Sequence, residues 1–424
     1  MGEYRNNAPV ADAEHVTYRS VVANREFSAI LVSQGLSTLG DQLARIAVAL
    51  LVFQRTGSAL AASATYSVSY LTYLLGGPVL SAISDRAPRV TVMVLCDLLR
   101  VPAMLLMCLS GLPLWAYFVA LAFVGVLAPP FDSARSAIQP DILQGDAYVT
   151  GNALMNVVLQ LGQVLGFIAG GALVALVSTR GALALDAATF LVSAGVVLGS
   201  VRPRAAAQEP GDRSSLLRDT ARGFELVEQS EPLRRYLAFS VISSVAVIAP
   251  EGLAVPVARE LGGGVFDAGI LTATVPAGFV ISSFLILRLA PERRLQLLFP
   301  LSLLCMVPLI ASPLATNVYV VMVLWVVSGL GACLNLVASA AYIQACPPDY
   351  RSRAYGVAVT TLYGCQGVAL LLSGFAADLL TATGAVAVIS GAMLVLLLAR
   401  PGLWLRQLLP AAQDRRDLVR STRG

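Results

Sequence analysis

Apolar runs of about 20 residues, the length a helix needs to cross a bilayer's hydrocarbon core, recur along nearly all of this 424-residue chain. They fall near residues 27–53, 58–82, 90–110, 113–134, 150–178, 181–200, 234–257, 266–289, 295–312, 316–344, 353–378 and 384–404. Short polar breaks separate almost every pair, which gives twelve spans. The runs are continuous, not alternating, and this excludes a transmembrane β-barrel. With 57% hydrophobic and 13% charged residues, the chain is too apolar for a water-soluble domain of its size. The expectation is an all-α membrane protein of twelve transmembrane helices.

All 29 basic residues are arginines, and they crowd one side of that topology. One side holds Arg5, Arg19, Arg25, Arg86 and Arg89, seven in the central linker, Arg288, Arg293, Arg294, Arg351, Arg353 and six from Arg400 to Arg423. The other side holds only Arg55, Arg180 and Arg259. The positive-inside rule therefore predicts both termini in the cytoplasm of a multi-pass protein of the inner (plasma) membrane. The net charge of +4 follows from the same asymmetry, so no nucleic-acid partner is expected. The first 26 residues are polar, and no cleavable signal peptide is expected. Six scattered cysteines imply neither a disulfide framework nor a metal site, and the lone His15 lies in the polar tail.

Carboxylates inside the apolar runs carry the chemical information. They are Asp41, Asp97, Asp132, Asp186, Glu251 and Asp378. A carboxylate at mid-bilayer costs about 2.5–3.5 kcal/mol, so each requires a partner, a proton or a water-filled cavity. Three stand one helical turn before an arginine, in the pairs Asp41–Arg45, Asp97–Arg100 and Asp132–Arg135, where both members share a helix face. Asp186 and Glu251 have no arginine within a turn. Glu251 follows Pro250 and precedes Pro256, which predicts a break or kink in span seven. Glu251, Asp186 and Asp41 are therefore the candidates for a proton-coupling site, and Asp378 is expected at an interface. Gln34, Asn152, Asn156, Gln160, Gln163, Asn335 and Gln366 are candidates for lining a polar cavity, or for helix–helix hydrogen bonds.

A weak internal repeat of about 205–208 residues divides the spans into two sets of six. Ser136–Asp141 after span four is echoed by Tyr342–Asp349 after span ten, and Ser84–Arg89 by Leu289–Arg294. The expected organisation is a tail at 1–26, a six-helix bundle at 27–200, a linker at 201–232, a second, pseudo-symmetric six-helix bundle at 233–405, and a tail at 406–424. Within the linker, Leu217, Ala221, Phe224 and Val227 recur at helical spacing, predicting an amphipathic helix along the membrane surface. Repeats of this kind build alternating-access transporters, whose substrate site lies between the halves.

Several motifs together resemble the major facilitator superfamily. The segment Ser81–Val90 is similar to its cytoplasmic signature at Asp85, Arg86 and Arg89, and departs from it at Ser81, Pro88 and Val90. Gly162, Gly166, Gly170 and Gly171 in span five are similar to the glycine motif of the drug:proton antiporters, with Phe167 and Ala153 as departures. Segments at spans one, four and six look like the macrolide- and siderophore-exporting branch. The resemblance covers about residues 25–405 and implies a major-facilitator-type fold. It also implies a cytoplasmic gate at Asp85, Arg86 and Arg89, with a plain positive-inside loop as the alternative. The span-five glycines are explained by close helix packing alone.

The resulting expectation is proton-coupled efflux of a small hydrophobic compound, such as a drug, antibiotic or secreted metabolite, by a monomer without a cofactor. Its partners are the small-molecule substrate, protons and the lipid bilayer. An importer or facilitator on the same fold is the alternative. A polytopic membrane enzyme would want a metal-binding acidic cluster or a histidine in a large outer loop, and the outer loops are only a few residues long. A chain without lysine has no phosphate-cradling Gly-x-x-x-x-Gly-Lys loop, which excludes ATP drive within it.

Overall fold

The computed structural model describes residues 17–84, 87–204, 224–346 and 351–400, without the side chains of 75–84, 291 and 351–353. No strand occurs among the described residues. Twelve spans follow one another: α1 Arg25–Thr56, α2 Ala59–Ser84, α3 Arg89–Met107, α4 Leu114–Ile142, α5 Asp146–Leu176 and α6 Thr179–Ser200. The second set is α7 Glu231–Glu260, α8 Val265–Ile286, α9 Leu298–Ile310, α10 Val318–Ala345, α11 Arg351–Leu379 and α12 Ala382–Leu398.

The two six-helix bundles repeat one plan. In the first, α1 packs on α5 and α6; in the second, α7 packs on α11 and α12. The turns repeat as well. Gly57 ends α1 and Gly262 follows α7, both with positive φ (66° and 74°), a conformation that favours glycine. One joint falls inside each bundle: α4 is interrupted at Leu127, before Pro129 and Pro130, and α10 at Cys333. Leu127 and Cys333 stand 206 residues apart, so the irregularity belongs to the repeat.

Of the break or kink expected in span seven, the break is absent. The span is one helix through both Pro250 and Pro256, although each proline removes a backbone donor. Dense packing explains why it holds together: most of its apolar residues from Phe239 to Ala258 are buried. Only the end of the linker helix lies among the described residues. Residues 224–229 are helical, and Val227 is buried against Leu233, Tyr342, Cys346 and Ala354 of the second bundle, while Phe224 is exposed. Leu217 and Ala221 lie outside the described residues.

Contacts between the bundles concentrate at the end marked by Gly57 and Gly262. There α2 lies against α11, and α5 against α8. The α5–α8 seam is backbone on backbone. A Cβ on Gly171 would come within 2.8 Å of the Gly269 Cα, and one on Gly269 within 2.8 Å of the Phe167 carbonyl oxygen. The α2–α11 seam is hydrogen-bonded. Asp378 accepts from the Ser58 hydroxyl at 2.6 Å and the Ala59 and Leu60 amides at 2.6 and 3.3 Å. Deeper in, the Ser67 hydroxyl donates to the Gly367 carbonyl at 2.7 Å. Asp378 is thus the N-terminal cap of a helix in the opposite bundle, where a carboxylate meets unpaired amides and the positive end of the helix dipole.

Candidate functional site

Midway along the helices, the two bundles meet through charge. The Arg45 guanidinium of α1 lies 3.8 Å from the Glu251 carboxylate of α7. The Tyr70 hydroxyl of α2 donates to the other Glu251 oxygen at 3.1 Å, and the Arg45 guanidinium carbon sits 5.9 Å from the Tyr70 ring centre. Glu251 Oε1 is buried without a hydrogen bond among the described residues, so the ion pair is close but not closed by one. Tyr363 of α11 packs on the same group, stacked on Tyr73 with ring centres 4.5 Å apart and tilted on Tyr70 at 5.5 Å.

This arrangement corrects two expectations from the spacing. Arg45 does not form an ion pair with Asp41, one turn away on its own helix, and Glu251 does not lack a basic partner. The i, i+4 rule describes an isolated helix. Here a tertiary contact brings in a carboxylate from the other bundle, and Arg45 reaches across to it. Arg45 and Glu251 are 206 residues apart, so they occupy equivalent positions in the repeat and carry opposite charge.

A second polar cluster is enclosed within the first bundle. Asp97 and Arg100 of α3 form an ion pair at 3.5 Å, 0% and 2% exposed. The Ser193 hydroxyl of α6 donates to Asp97 Oδ2 at 2.5 Å and pairs with Ser33 of α1 at 2.7 Å. Phe131 and Phe190 hold the Arg100 guanidinium, with ring centres 5.4 and 5.2 Å away. Asp186 of α6 is fully buried, takes the Thr189 hydroxyl at 3.2 Å on Oδ1, and leaves Oδ2 without a hydrogen bond among the described residues. It fits there because α1 offers Gly40: a Cβ at that position would collide with Asp186 Oδ1. Asp41 shares this electrostatic neighbourhood with Arg100 and Asp186. Between the two clusters, Asp41, Arg45, Arg100 and Ser69 line a cavity of about 30 Å³, enough for a water molecule.

The remaining candidates disperse. Asp132 and Arg135 are 3.4 Å apart, with Asp132 one-third exposed. Asp85 and Arg86 lie outside the described residues. Arg89 donates to the Ala137 carbonyl at 2.7 Å and bridges to Asp141 at 2.5 Å, which joins α3 to α4 within one bundle. Gly162, Gly166 and Gly170 face α1 at Thr38, Leu39 and Leu43, while Gly171 faces Gly269. Gln34 is buried and bonds Thr38 at 3.1 Å, Asn335 takes the Ser244 hydroxyl at 3.3 Å, and Asn156 is exposed and donates to the Asn152 carbonyl. Gln160, Gln163 and Gln366 are half-buried.

Sequence reasoning overlooks the tyrosines. Tyr66, Tyr70 and Tyr73 follow at spacings of four and three within a serine-rich stretch, which places them on one face of α2. That pattern is a readable signal for a polar, aromatic face turned inward.

The comparisons with known proteins agree with this architecture. The lysophospholipid transporter LplT of Pectobacterium carotovorum subsp. carotovorum is 28% identical over 190 residues, 44% of each chain. That of Escherichia fergusonii is 26% identical over 209 residues, 49% of this chain and 51% of its own. The uncharacterized MFS-type transporter YfiS of Bacillus subtilis is 24% identical over 260 residues, 60% of this chain and 62% of its own. The chain thus spans about half the length of the lysophospholipid transporters it matches. None of these names is that of a drug exporter, so the drug:proton antiporter branch gains no support from them. Among solved structures, the nucleoside transporter NupG superposes with a TM-score of 0.68 at 15% identity, over 90% of this chain and 99% of that one. A bacterial homolog of the human lysosomal transporter Spinster, inward-facing and unoccupied, gives 0.66 at 15% identity, over 90% and 97%. The Major Facilitator Superfamily model matches residues 30–313, two-thirds of the sequence, and with twelve spans in two repeated bundles the chain belongs to that superfamily.

Proposed function

We propose that this protein is a proton-coupled secondary transporter that moves a small amphiphilic molecule by alternating access. The observation that carries the reading is the Arg45–Glu251 pair, which joins equivalent positions of the two bundles across their contact. A pair that spans both halves must separate when they rock apart, and the state of its carboxylate then bears on which conformation is favoured. Protonation removes the negative charge of Glu251 and frees Arg45 for an anionic group of the substrate. Release of the proton restores the pair.

The arginine asymmetry supports placing the Gly57/Gly262 end outside and both termini in the cytoplasm. On that placement the seams α2–α11 and α5–α8 close the outer side, and the Arg89 end with Asp85 and Arg86 is the cytoplasmic gate. The names of the lysophospholipid transporters support an amphiphile as substrate in place of a drug. Export, which the motifs of spans one and five favour, and import can both run on this cycle.

The test is substrate-induced proton movement in proteoliposomes, with a head-group-labelled single-chain phospholipid as probe. Glu251→Gln is expected to abolish coupled movement and to keep downhill exchange, because glutamine copies the protonated acid but cannot release a proton. Normal coupling in Glu251→Gln, with coupling lost in Asp41→Asn or Asp186→Asn, would move the proton site into the first bundle.

A further inference from the structure

A cavity of about 220 Å³ lies within the second bundle, between α7, α10 and α11. Leu237 and Ser240 of α7, Tyr342 of α10, and Tyr355, Leu362 and Tyr363 of α11 are among its walls. Its mouth is at Tyr355 and Ile343, both exposed, near the helix ends remote from Gly57. Its floor is Tyr363, two turns or about 12 Å further along α11. The volume falls below the roughly 300 Å³ at which pockets begin to enclose a whole drug-sized ligand, so it suits one arm of a larger molecule. The walls are mostly aliphatic and aromatic, with the serines Ser240 and Ser339 among them. The Tyr342 hydroxyl already donates to the Ala354 carbonyl at 2.8 Å, and one helical turn from Ser240 and Ser339 the Ser244 hydroxyl donates to Asn335.

The floor connects to charge. Tyr363 stacks on Tyr73 and packs at a tilt on Tyr70, Tyr70 holds Glu251, and Arg45 lies within electrostatic reach of Tyr363. Of the arginines inside the first bundle, Arg100 is sealed between two rings and Arg135 faces Asp132, whereas the Arg45 side chain is 25% exposed. We infer that this cavity seats the apolar chain of a single-chain anionic amphiphile whose head group meets Arg45, and that Tyr363 relays occupancy to the Arg45–Glu251 pair. The inference rests on the carrier reading above and deepens it by naming a subsite. Single-chain phospholipids and fatty acids share this chemistry; both place one chain behind one anionic group.

The experiment uses the full chain in lipid nanodiscs, with empty nanodiscs as background. Dodecyl phosphate and dodecanoate represent the two sources, butyl phosphate lacks the chain, and dodecyl maltoside lacks the charge. Dodecyl phosphate or dodecanoate is expected to bind at least about tenfold tighter than either control, since butyl phosphate lacks most of the buried methylenes and dodecyl maltoside offers Arg45 no anion. Ala358→Trp, which fills the cavity, should remove that advantage and leave butyl phosphate binding unchanged. Undiminished chain-dependent binding in a folded Ala358→Trp protein overturns the subsite. If that variant fails to fold, Leu362→Ala enlarges the same cavity and should shift preference toward tetradecyl phosphate; an unshifted preference overturns it equally. Tyr363→Ala should lower probe-induced proton uptake more than it lowers binding, so that uptake per bound probe is lost, and retained uptake per bound probe overturns the relay. Coupled flux of a single-chain phospholipid by the wild-type protein is measured separately. Flux without chain-dependent binding sinks the subsite and leaves the carrier, whereas chain-dependent binding without flux sinks the carrier and leaves the subsite.

Discussion

The two bundles share a fold and differ in what they enclose. Among the described residues, the charged side chains that are buried outright are Asp97, Arg100, Arg135 and Asp186, all in the first bundle. Displaced by the 206 residues that relate Arg45 to Glu251, those positions in the second bundle are Leu303, Met306, Ala341 and Ala392, while Asp41 and Asp132 correspond to Val247 and Ala338. Every intramembrane charge of the first bundle except Arg45 therefore maps onto an apolar residue. The second bundle holds its core with aliphatic packing and with serines and threonines, many of them bonded to their own helices.

This difference teaches that the fold does not need the charges. Removing ions from water into a protein interior costs more than their mutual attraction commonly returns, and replacing a buried pair by apolar residues is often neutral or favourable. The second bundle is that replacement made in the same architecture. In the proposed cycle the charged cluster of the first bundle has a use: it holds carboxylates at the border of the Arg45–Glu251 pair, with a cavity between them that Asp41 shares. On this view the first bundle handles the ion and the second handles the apolar part of the substrate.

The sharpest way to break the comparison is to unbalance the cluster. Arg100→Met alone leaves Asp97 and Asp186 buried with no positive partner, and a loss of about 3–5 kcal/mol of stability is expected, read from unfolding in mixed micelles. Converting the set to its second-bundle residues, with Asp97→Leu, Arg100→Met and Asp186→Ala together, should return most of that loss while coupled transport stays absent. A triple variant no more stable than Arg100→Met would show that the first bundle depends on its charges for folding, and the comparison would fail.

How far the sequence reveals all this follows the same division. Twelve spans are legible because each is a continuous apolar run, but the joints at Leu127 and Cys333 are not, since hydropathy passes through them unchanged. The Asp97–Arg100 pair is legible because both partners sit on one helix face, with no tertiary information required. The same local rule fails for Asp41 and Arg45, where a carboxylate from the other bundle competes. The repeat that sets Arg45 opposite Glu251 is present in the sequence, but it gains meaning only when the bundles are placed face to face. The capping role of Asp378 is invisible for the same reason, because its partners at 58–60 lie more than 300 residues away.

Asp378 gives the smallest effect and sharpens the comparison at the seams. The N-terminus of α2 is capped from the opposite bundle by Asp378, whereas that of α8, at the other seam, is capped from within by Asp267, which accepts the Gly264 amide at 2.7 Å. Loss of either carboxylate should cost about 0.5–2 kcal/mol, the usual worth of a helix N-cap. The two losses differ in where they appear. In Asp378→Ala the cost falls on the conformation that brings α2 and α11 together, so the population shifts toward opening at the Gly57/Gly262 end. In Asp267→Ala it falls on α8 itself, and the glycine contact between α5 and α8 keeps that seam closed in the same proportion. Distances between spin labels at positions 56 and 380 should therefore lengthen or broaden in Asp378→Ala and stay unchanged in Asp267→Ala. Equal distance distributions in the two variants would mean that Asp378 is an ordinary cap, and that the α2–α11 seam is held without it, by the packing of Gly374 on Leu60 and Ser63 and by the Ser67–Gly367 hydrogen bond.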